Sequence, residues 1–241
     1  MAFSSRPIEG TPWEILPLAE RAILLRLPPA TPDALDLVRY ADARITELLQ
    51  KSGGGEVVPA FDSIAIFLHH SPLSFNTLIE HVASLDWGAG KTMPVGEARS
   101  HEIPVCYDFG PDWDLVSQAT GIDRDVAICL HAEAEYRVAM TGFMPGFVYL
   151  EGLPEELRCA RRGEPRLHVP AGSVGIGGSH SGIYGLPTPG GWQLIGQTPL
   201  PLFDGTASVP SPFMPGDRVR FQPIDKHLFS DLQSNLQNGQ S

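Results

Sequence analysis

Apolar and polar positions alternate most regularly in Phe61–Leu68, where Ile64, Ile66 and Leu68 fall two apart, the spacing of a half-buried strand. Val57 and Val58 mark a strand just before it, and residues 14–27, EILPLAERAILLRL, read as two short strands around a turn near Ala19 and Glu20. Between these pairs the period changes. Leu35, Val38, Ile45, Leu48 and Leu49 recur on one helical face, with Thr31 as cap, Pro32 in the first turn and Gly53–Gly55 as the stop. A second helix opens at Ser71 and Pro72 and carries Leu78, Ile79, Val82 and Leu85. The order ββαββα predicts an antiparallel α+β sandwich over residues 1–90, with no cluster of catalytic residue types.

From Trp87 to Ser100 the apolar pattern lapses, and residues 91–98 read as a linker. HEIPVCYD restarts the order as a strand. Two short helices follow, one from Pro111 to just before Gly121 and one from about Asp123 through Val126 and Leu130. After Tyr136 no helical period is evident, and Gly or Pro recurs about every ten residues, which suits a β-barrel or sandwich over residues 99–225. Residues 226–241, ending in QSNLQNGQS, read as a frayed tail. Between Ala139 and Gly216, 26 of 78 residues are Gly or Pro, yet Phe143, Phe147, Tyr149, Tyr184, Trp192, Ile195 and Phe203 supply core there. The segment is therefore a folded, site-bearing surface shaped by its main chain rather than a disordered one.

A net charge of −11 argues against nucleic acid or an anionic membrane as partner, since a phosphate backbone is held chiefly by Lys and Arg. No run of about 18 apolar residues occurs and the N-terminus lacks the apolar core of a signal peptide, so a cytoplasmic location is expected. Cys106, Cys129 and Cys159 are widely spaced and read as reduced thiols. Arg158, Arg161, Arg162 and Arg166 form a basic island in an acidic chain. Guanidinium groups grip planar anions, so the island suggests a carboxylate, a phosphate or an acidic partner; pairing with Glu155, Glu156 and Glu164 is the alternative.

Ala171-Gly172-Ser173-Val174-Gly175 comes near the nucleophile elbow of serine hydrolases, but Pro170 precedes it and Gly175, Gly177 and Gly178 follow where a helix is required. A turn or a backbone anion nest is the better reading. Gly175-Ile176-Gly177-Gly178 fails the dinucleotide fingerprint, no phosphate loop occurs, and no methionine flanks a lysine as in a biotin-attachment signal. His131, His168 and His180 lack metal-ligand spacing, so no metal is expected; His180, inside the glycine-rich loop, is the candidate acid or base. Tyr149, Tyr184 and Trp192 alternate with glycines and could wall a small-molecule pocket, with core packing the alternative.

Three motifs carry a family resemblance: GF-x-PGF-x-Y-x-x-GLP at Gly142–Pro154, RR-x-x-PR-x-x-VPAGSVGIG at Arg161–Gly177, and TPGGWQLIG-x-T at Thr188–Thr198. They resemble the B subunits of bacterial 5-oxoprolinase, a family also called allophanate hydrolase subunit 1 that includes the sporulation-kinase inhibitor KipI, and a weaker likeness runs from Leu16 to Phe221. The resemblance implies an α+β N-terminal domain followed by a mostly β, cyclophilin-like barrel domain. It implies a chain without a cofactor of its own, joined to A and C subunits in an assembly that uses ATP to hydrolyse 5-oxo-L-proline, a small amide, to L-glutamate. Carried onto this sequence, it gives Arg161, Arg162 and Arg166 for anion or partner contact. Ser173, His180, Tyr184 and Trp192 become pocket wall, and Phe143, Pro145, Gly146, Pro170, Gly172, Gly175, Gly190 and Gly191 shape the loops. No residue receives a catalytic role. The chain departs from the family pattern at Ala160, His180, Ser181 and Gly185, all in the pocket loops. Two further readings stay open: a KipI-like inhibitor docking on a histidine kinase, and one half of a biotin-dependent carboxyltransferase or allophanate hydrolase system acting on small amides.

Overall fold

The computed structural model describes residues 5–69, 71–88 and 98–238, so most of the linker expected at 91–98 lies outside the described residues. The chain divides into two compact units, Met1–Glu97 and Ala98–Ser241.

In the first unit, β1 (Arg6–Pro7), β2 (Glu14–Ala19), β3 (Ala22–Arg26), β4 (Glu56–Pro59) and β5 (Ser63–Phe67) form an antiparallel sheet in the order β1-β2-β3-β5-β4. Helices α1 (Ala34–Lys51) and α2 (Phe75–Ser84) share its core. Alternation works as the sequence suggests, because Ile64 and Ile66 are sealed while their neighbours in β5 are half-buried. The helix starts differ from expectation. The Thr31 hydroxyl donates to the Pro28 carbonyl at 2.6 Å, and α1 begins after Asp33, a left-handed residue (φ 56°) whose side chain caps nothing. Ser74 rather than Ser71 caps α2, accepting from Thr77 N at 3.1 Å. Ser71 instead donates to the Ser52 carbonyl and accepts from Leu73 N, fastening the end of α1 to the approach of α2.

The second unit begins with β6 (Ser100–Val105), a 3₁₀ turn at Tyr107–Phe109, α3 (Trp113–Thr120) and α4 (Arg124–Glu133). Strands β7 (Tyr136–Thr141), β8 (Val148–Glu151), β9 (Arg166–Val169), β10 (Ser173–Gly177), β11 (His180–Ile183), β12 (Thr188–Gly190), β13 (Gln193–Gln197) and β14 (Arg218–Pro223) follow. Seven of the strands of this unit form one mixed sheet in the order β13-β10-β11-β8-β7-β14-β6, with only the β14/β6 pair parallel. Cys106 and Gln197 exchange backbone hydrogen bonds of 2.9 and 3.1 Å, so the two outer strands nearly close the sheet into a barrel. Val138, Leu150, Val174, Ile176, Ile183, Ile195 and Val219 fill it. Among the described residues the tail is not frayed: Lys226–Asn238 form α5, with Phe229 buried against Phe109 at 4.9 Å between ring centroids.

His131, fully buried on α4, sits in the barrel core with Nδ1 2.8 Å from the Tyr107 hydroxyl and Nε2 2.9 Å from Ser181 Oγ. Ser181 Oγ lies 3.3 Å from the Gly175 carbonyl, so one proton arrangement satisfies all four groups: Tyr107 donates to Nδ1, Nε2–H donates to Ser181, and Ser181 donates to Gly175. Burial pushes the His131 pKa down to about 3. The unfolded chain takes up a proton near pH 6.5 that the folded chain refuses until about pH 3, so this contribution is complete above pH 6.5 and declines as pH falls below it. Stability of the second unit is expected to drop by up to about 1.4 kcal/mol per pH unit below pH 6 from this group. Denaturant titrations at pH 7.5, 6 and 5 check it. His131→Gln should be less stable at pH 7.5 yet flatter with pH, and an equal slope in both proteins would locate the cause elsewhere.

Candidate functional site

Strand alternation in the second unit creates an unusual outer face. Val174 and Ile176 of β10 and Ile183 of β11 point into the core, which puts Gly175, Gly177 and Gly182 outside. A Cβ at Gly177 would stand 2.7 Å from the Trp192 ring, and one at Gly182 would stand 3.0 Å from both Phe147 Cζ and Trp192 Cζ3. Glycine is thus what lets two aromatic rings lie against bare main chain. Phe147 is the hub of the cluster, with ring centroids 4.5 Å from Tyr149, 4.8 Å from Tyr184 and 5.5 Å from Trp192.

Above this cluster opens a cleft of about 350 Å³. Its walls are the rings of Phe143, Phe147, Tyr149, Tyr184 and Trp192, its edge Pro165, Pro189, Gly190 and Gly191, and its cations Arg161 and Arg162. Phe143 adopts φ 66° and stands exposed at the mouth, edge-on to Phe147 at 5.7 Å. Gly146 (φ 76°) lets the β7–β8 loop carrying Pro145 pack on Phe203, where a Cβ would meet Phe203 Cβ at 2.5 Å. Gly190 passes over the Tyr184 hydroxyl just as closely, and the Gly191 carbonyl accepts from Arg162 N at 2.7 Å.

The arginine island resolves into distinct roles. Arg158 pairs with Glu155 at 2.9 Å, as the acidic-neighbour alternative anticipates. Arg162 and Arg166 instead converge on Asp112, a carboxylate only 2% exposed that lies at the start of α3. Asp112 Oδ1 accepts from Arg162 Nη1 at 3.2 Å and from Arg166 Nη2, and Oδ2 accepts from the Leu194 amide at 2.6 Å. Arg161 has no carboxylate partner among the described residues; its guanidinium stands 5.3 Å from the centroid of the Trp192 ring.

The other expected residues fall outside the cleft. Arg166 reaches Asp112 and the Trp192 carbonyl (3.4 Å) but does not line it. Ser173 is buried in β10 with strand rather than helix after it, which fits no nucleophile elbow. The anion nest around it is not formed either, because Gly172 N and Ser173 N donate to the Tyr184 and Pro170 carbonyls. His180 is half-buried at the end of β11, its Nδ1 3.2 Å from Ser179 Oγ. Burial first, then the charges of Arg161 and Arg158, lower its pKa. His168 is exposed. Among the described residues no group of acidic, histidine or cysteine side chains could hold a metal, and no helix is long and apolar enough to cross a membrane. Burial pushes the Cys159 thiol up to about 11, leaving it an inert thiol beside Asp112.

A family model described as carboxyltransferase domain, subdomain C and D, matches residues 13–213. The chain is 40% identical over 209 residues to the 5-oxoprolinase B subunit of Escherichia coli O157:H7, covering 86% of this chain and 94% of that protein. It is 34% identical over 233 residues to the 5-oxoprolinase B subunit of Bacillus subtilis (strain 168), covering 91% and 97%. Among solved structures, TTHA0988 superposes with a TM-score of 0.71 at 32% identity over 85% of this chain, which spans 40% of that longer chain. The urea amidolyase of K. lactis, at 17% identity, shares the fold over 96% of this chain and 16% of its own, with a TM-score of 0.75.

Proposed function

The chain belongs to the carboxyltransferase subdomain C and D family, in which it aligns nearly end to end with 5-oxoprolinase B subunits, and on that premise we propose that it is the B subunit of an ATP-dependent 5-oxoprolinase. The observation that carries this reading is the 40% identity over 94% of the E. coli protein. In it, the chain works in the cytoplasm, non-autonomously, its cyclophilin-like barrel contributing one wall of a site that A and C subunits complete. Opening the lactam adds one water across an unstrained amide bond and yields L-glutamate; phosphorylation of the amide oxygen by ATP would make that carbon electrophilic enough for attack. The triphosphate belongs to a partner. No phosphate loop occurs in this sequence, and the amides of Gly172, Ser173 and Gly178 that a cradle would need are already given to carbonyls.

The cleft chemistry suits a chain that binds rather than one that cleaves. It offers cations and aromatic faces, and no nucleophile–base pair lines it. Reconstitution is the test. Purified chain mixed with its A and C partners should assemble and release glutamate from 5-oxo-L-proline only with ATP and all three chains present. A folded chain that forms no complex and adds nothing to glutamate release would end the proposal. The family description favours one second reading, a half-site of a biotin-dependent carboxyltransferase acting on small amides. In that case activity would require bicarbonate and a biotinylated carrier, which a 5-oxoprolinase does not.

A further inference from the structure

The geometry points to a subsite on this chain for the carboxylate of a cyclic amide acid, in which Arg161 takes the carboxylate and the rings of Trp192 and Tyr149 take the flat ring; the choice of ring rests on the 5-oxoprolinase reading. Three observations lead there. Of the four clustered arginines, Arg158 is matched by Glu155, and Arg162 and Arg166 share the buried Asp112, leaving Arg161 as the cleft cation without a carboxylate of its own among the described residues. Arg161 is also placed rather than loose, since its guanidinium rests against Trp192, and that ring is fixed from below by Gly177 and Gly182 and from the side by Phe147. Finally, Arg161, Arg162 and Arg166 set three positive charges around one carboxylate, Asp112, within a chain of net charge −11, so an anion is the ligand that this cleft favours.

Shape narrows the class. A volume of about 350 Å³ bounded by five aromatic rings fits a compact ring better than a nucleotide or an extended peptide. Tyr149 adds a phenol whose pKa burial raises, against the opposing charge of Arg161, so the wall it forms stays neutral beside that cation. Arg162, held by Asp112 and the Gly191 carbonyl, positions the wall opposite.

The full-length chain, labelled with ¹⁵N, tests this by titration with 5-oxo-L-proline while the indole signals of its four tryptophans are followed. The Trp192 indole, identified by comparison with Trp192→Phe, should shift. 2-Pyrrolidinone, the same ring without the carboxylate, should bind at least about tenfold more weakly, and acetate, the carboxylate without the ring, likewise. Arg161→Ala should lose about tenfold or more in affinity with an unchanged melting temperature, Arg161→Lys should recover part of it, and Arg158→Ala should match the unaltered chain. Equal binding by Arg161→Ala, equal binding of 2-pyrrolidinone, or no shift at tens of millimolar 5-oxo-L-proline would each overturn the subsite. The reconstituted complex separates the two proposals: activity with KM and kcat untouched by Arg161→Ala sinks the subsite alone, whereas Arg161-dependent binding in a complex inactive on 5-oxo-L-proline sinks the activity alone.

Discussion

Asp112→Ala is expected to destabilise the second unit by about 3 kcal/mol, toward the lower end of what breaking a buried ion pair costs, because Arg162 and Arg166 keep some contact with water. The loss has separable parts. The Leu194 amide, which now donates to Oδ2 at 2.6 Å, is left without its side-chain acceptor, and two guanidinium groups face one another without the charge between them. Asp112→Asn keeps the shape and an acceptor for Leu194 but removes the charge, so it should fall between the two. Denaturant unfolding of the three proteins measures the order. A cycle with Arg166→Ala should show a coupling of about 1 kcal/mol or more, since both changes remove the same contact. Additive losses would mean that Asp112 acts through Leu194 alone.

That carboxylate also shows where the reading of sequence stops. The sequence pattern starts this helix at Pro111, and Asp112 does precede the first turn of α3, but its side chain makes no cap and turns to arginines 50 and 54 residues further on. Nothing local distinguishes a capping aspartate from one buried under a distant basic loop; the available signal was an excess of arginine over nearby glutamate. Periodicity did well where one face is buried: β5 and the apolar stripe of α1 were legible because sheet and helix spacings leave different marks. It failed on α5, whose Phe229, Leu232 and Leu236 are spaced for a helix but thinly scattered among Gln, Asn and Ser. It also missed the caps of α1 and α2, since Thr31 and Ser71 spend their hydroxyls on neighbouring carbonyls. The cleft was half-legible. Tyr149, Tyr184, Trp192 and the Arg161–Arg162 pair line it, whereas Ser173 stands in the barrel wall and His180 at its edge, because a two-residue step along β10 from Gly175 to Ser173, or along β11 from Gly182 to His180, keeps the face of the sheet but carries the side chain past the cleft.

The same face of β10 gives the second large effect. Gly177→Val should cost about 1–3 kcal/mol and lift Trp192 off the sheet, because the first added atom would stand 2.7 Å from a ring that Phe147 and Tyr149 already confine. Strand propensity works in the opposite direction, valine being favoured over glycine in β-structure, so any loss is steric in origin. The displaced ring would take with it the face on which Arg161 rests, and a red-shifted, more quenchable Trp192 emission should accompany the fall in melting temperature. Gly163→Val is the matched control. It lies in the same arginine loop, and a Cβ there would meet nothing within 4 Å, so it should change neither observable. If Gly177→Val melts and fluoresces like the unaltered chain, the indole does not depend on the glycine floor, and the cleft owes its form to Asp112 and the arginine loop instead.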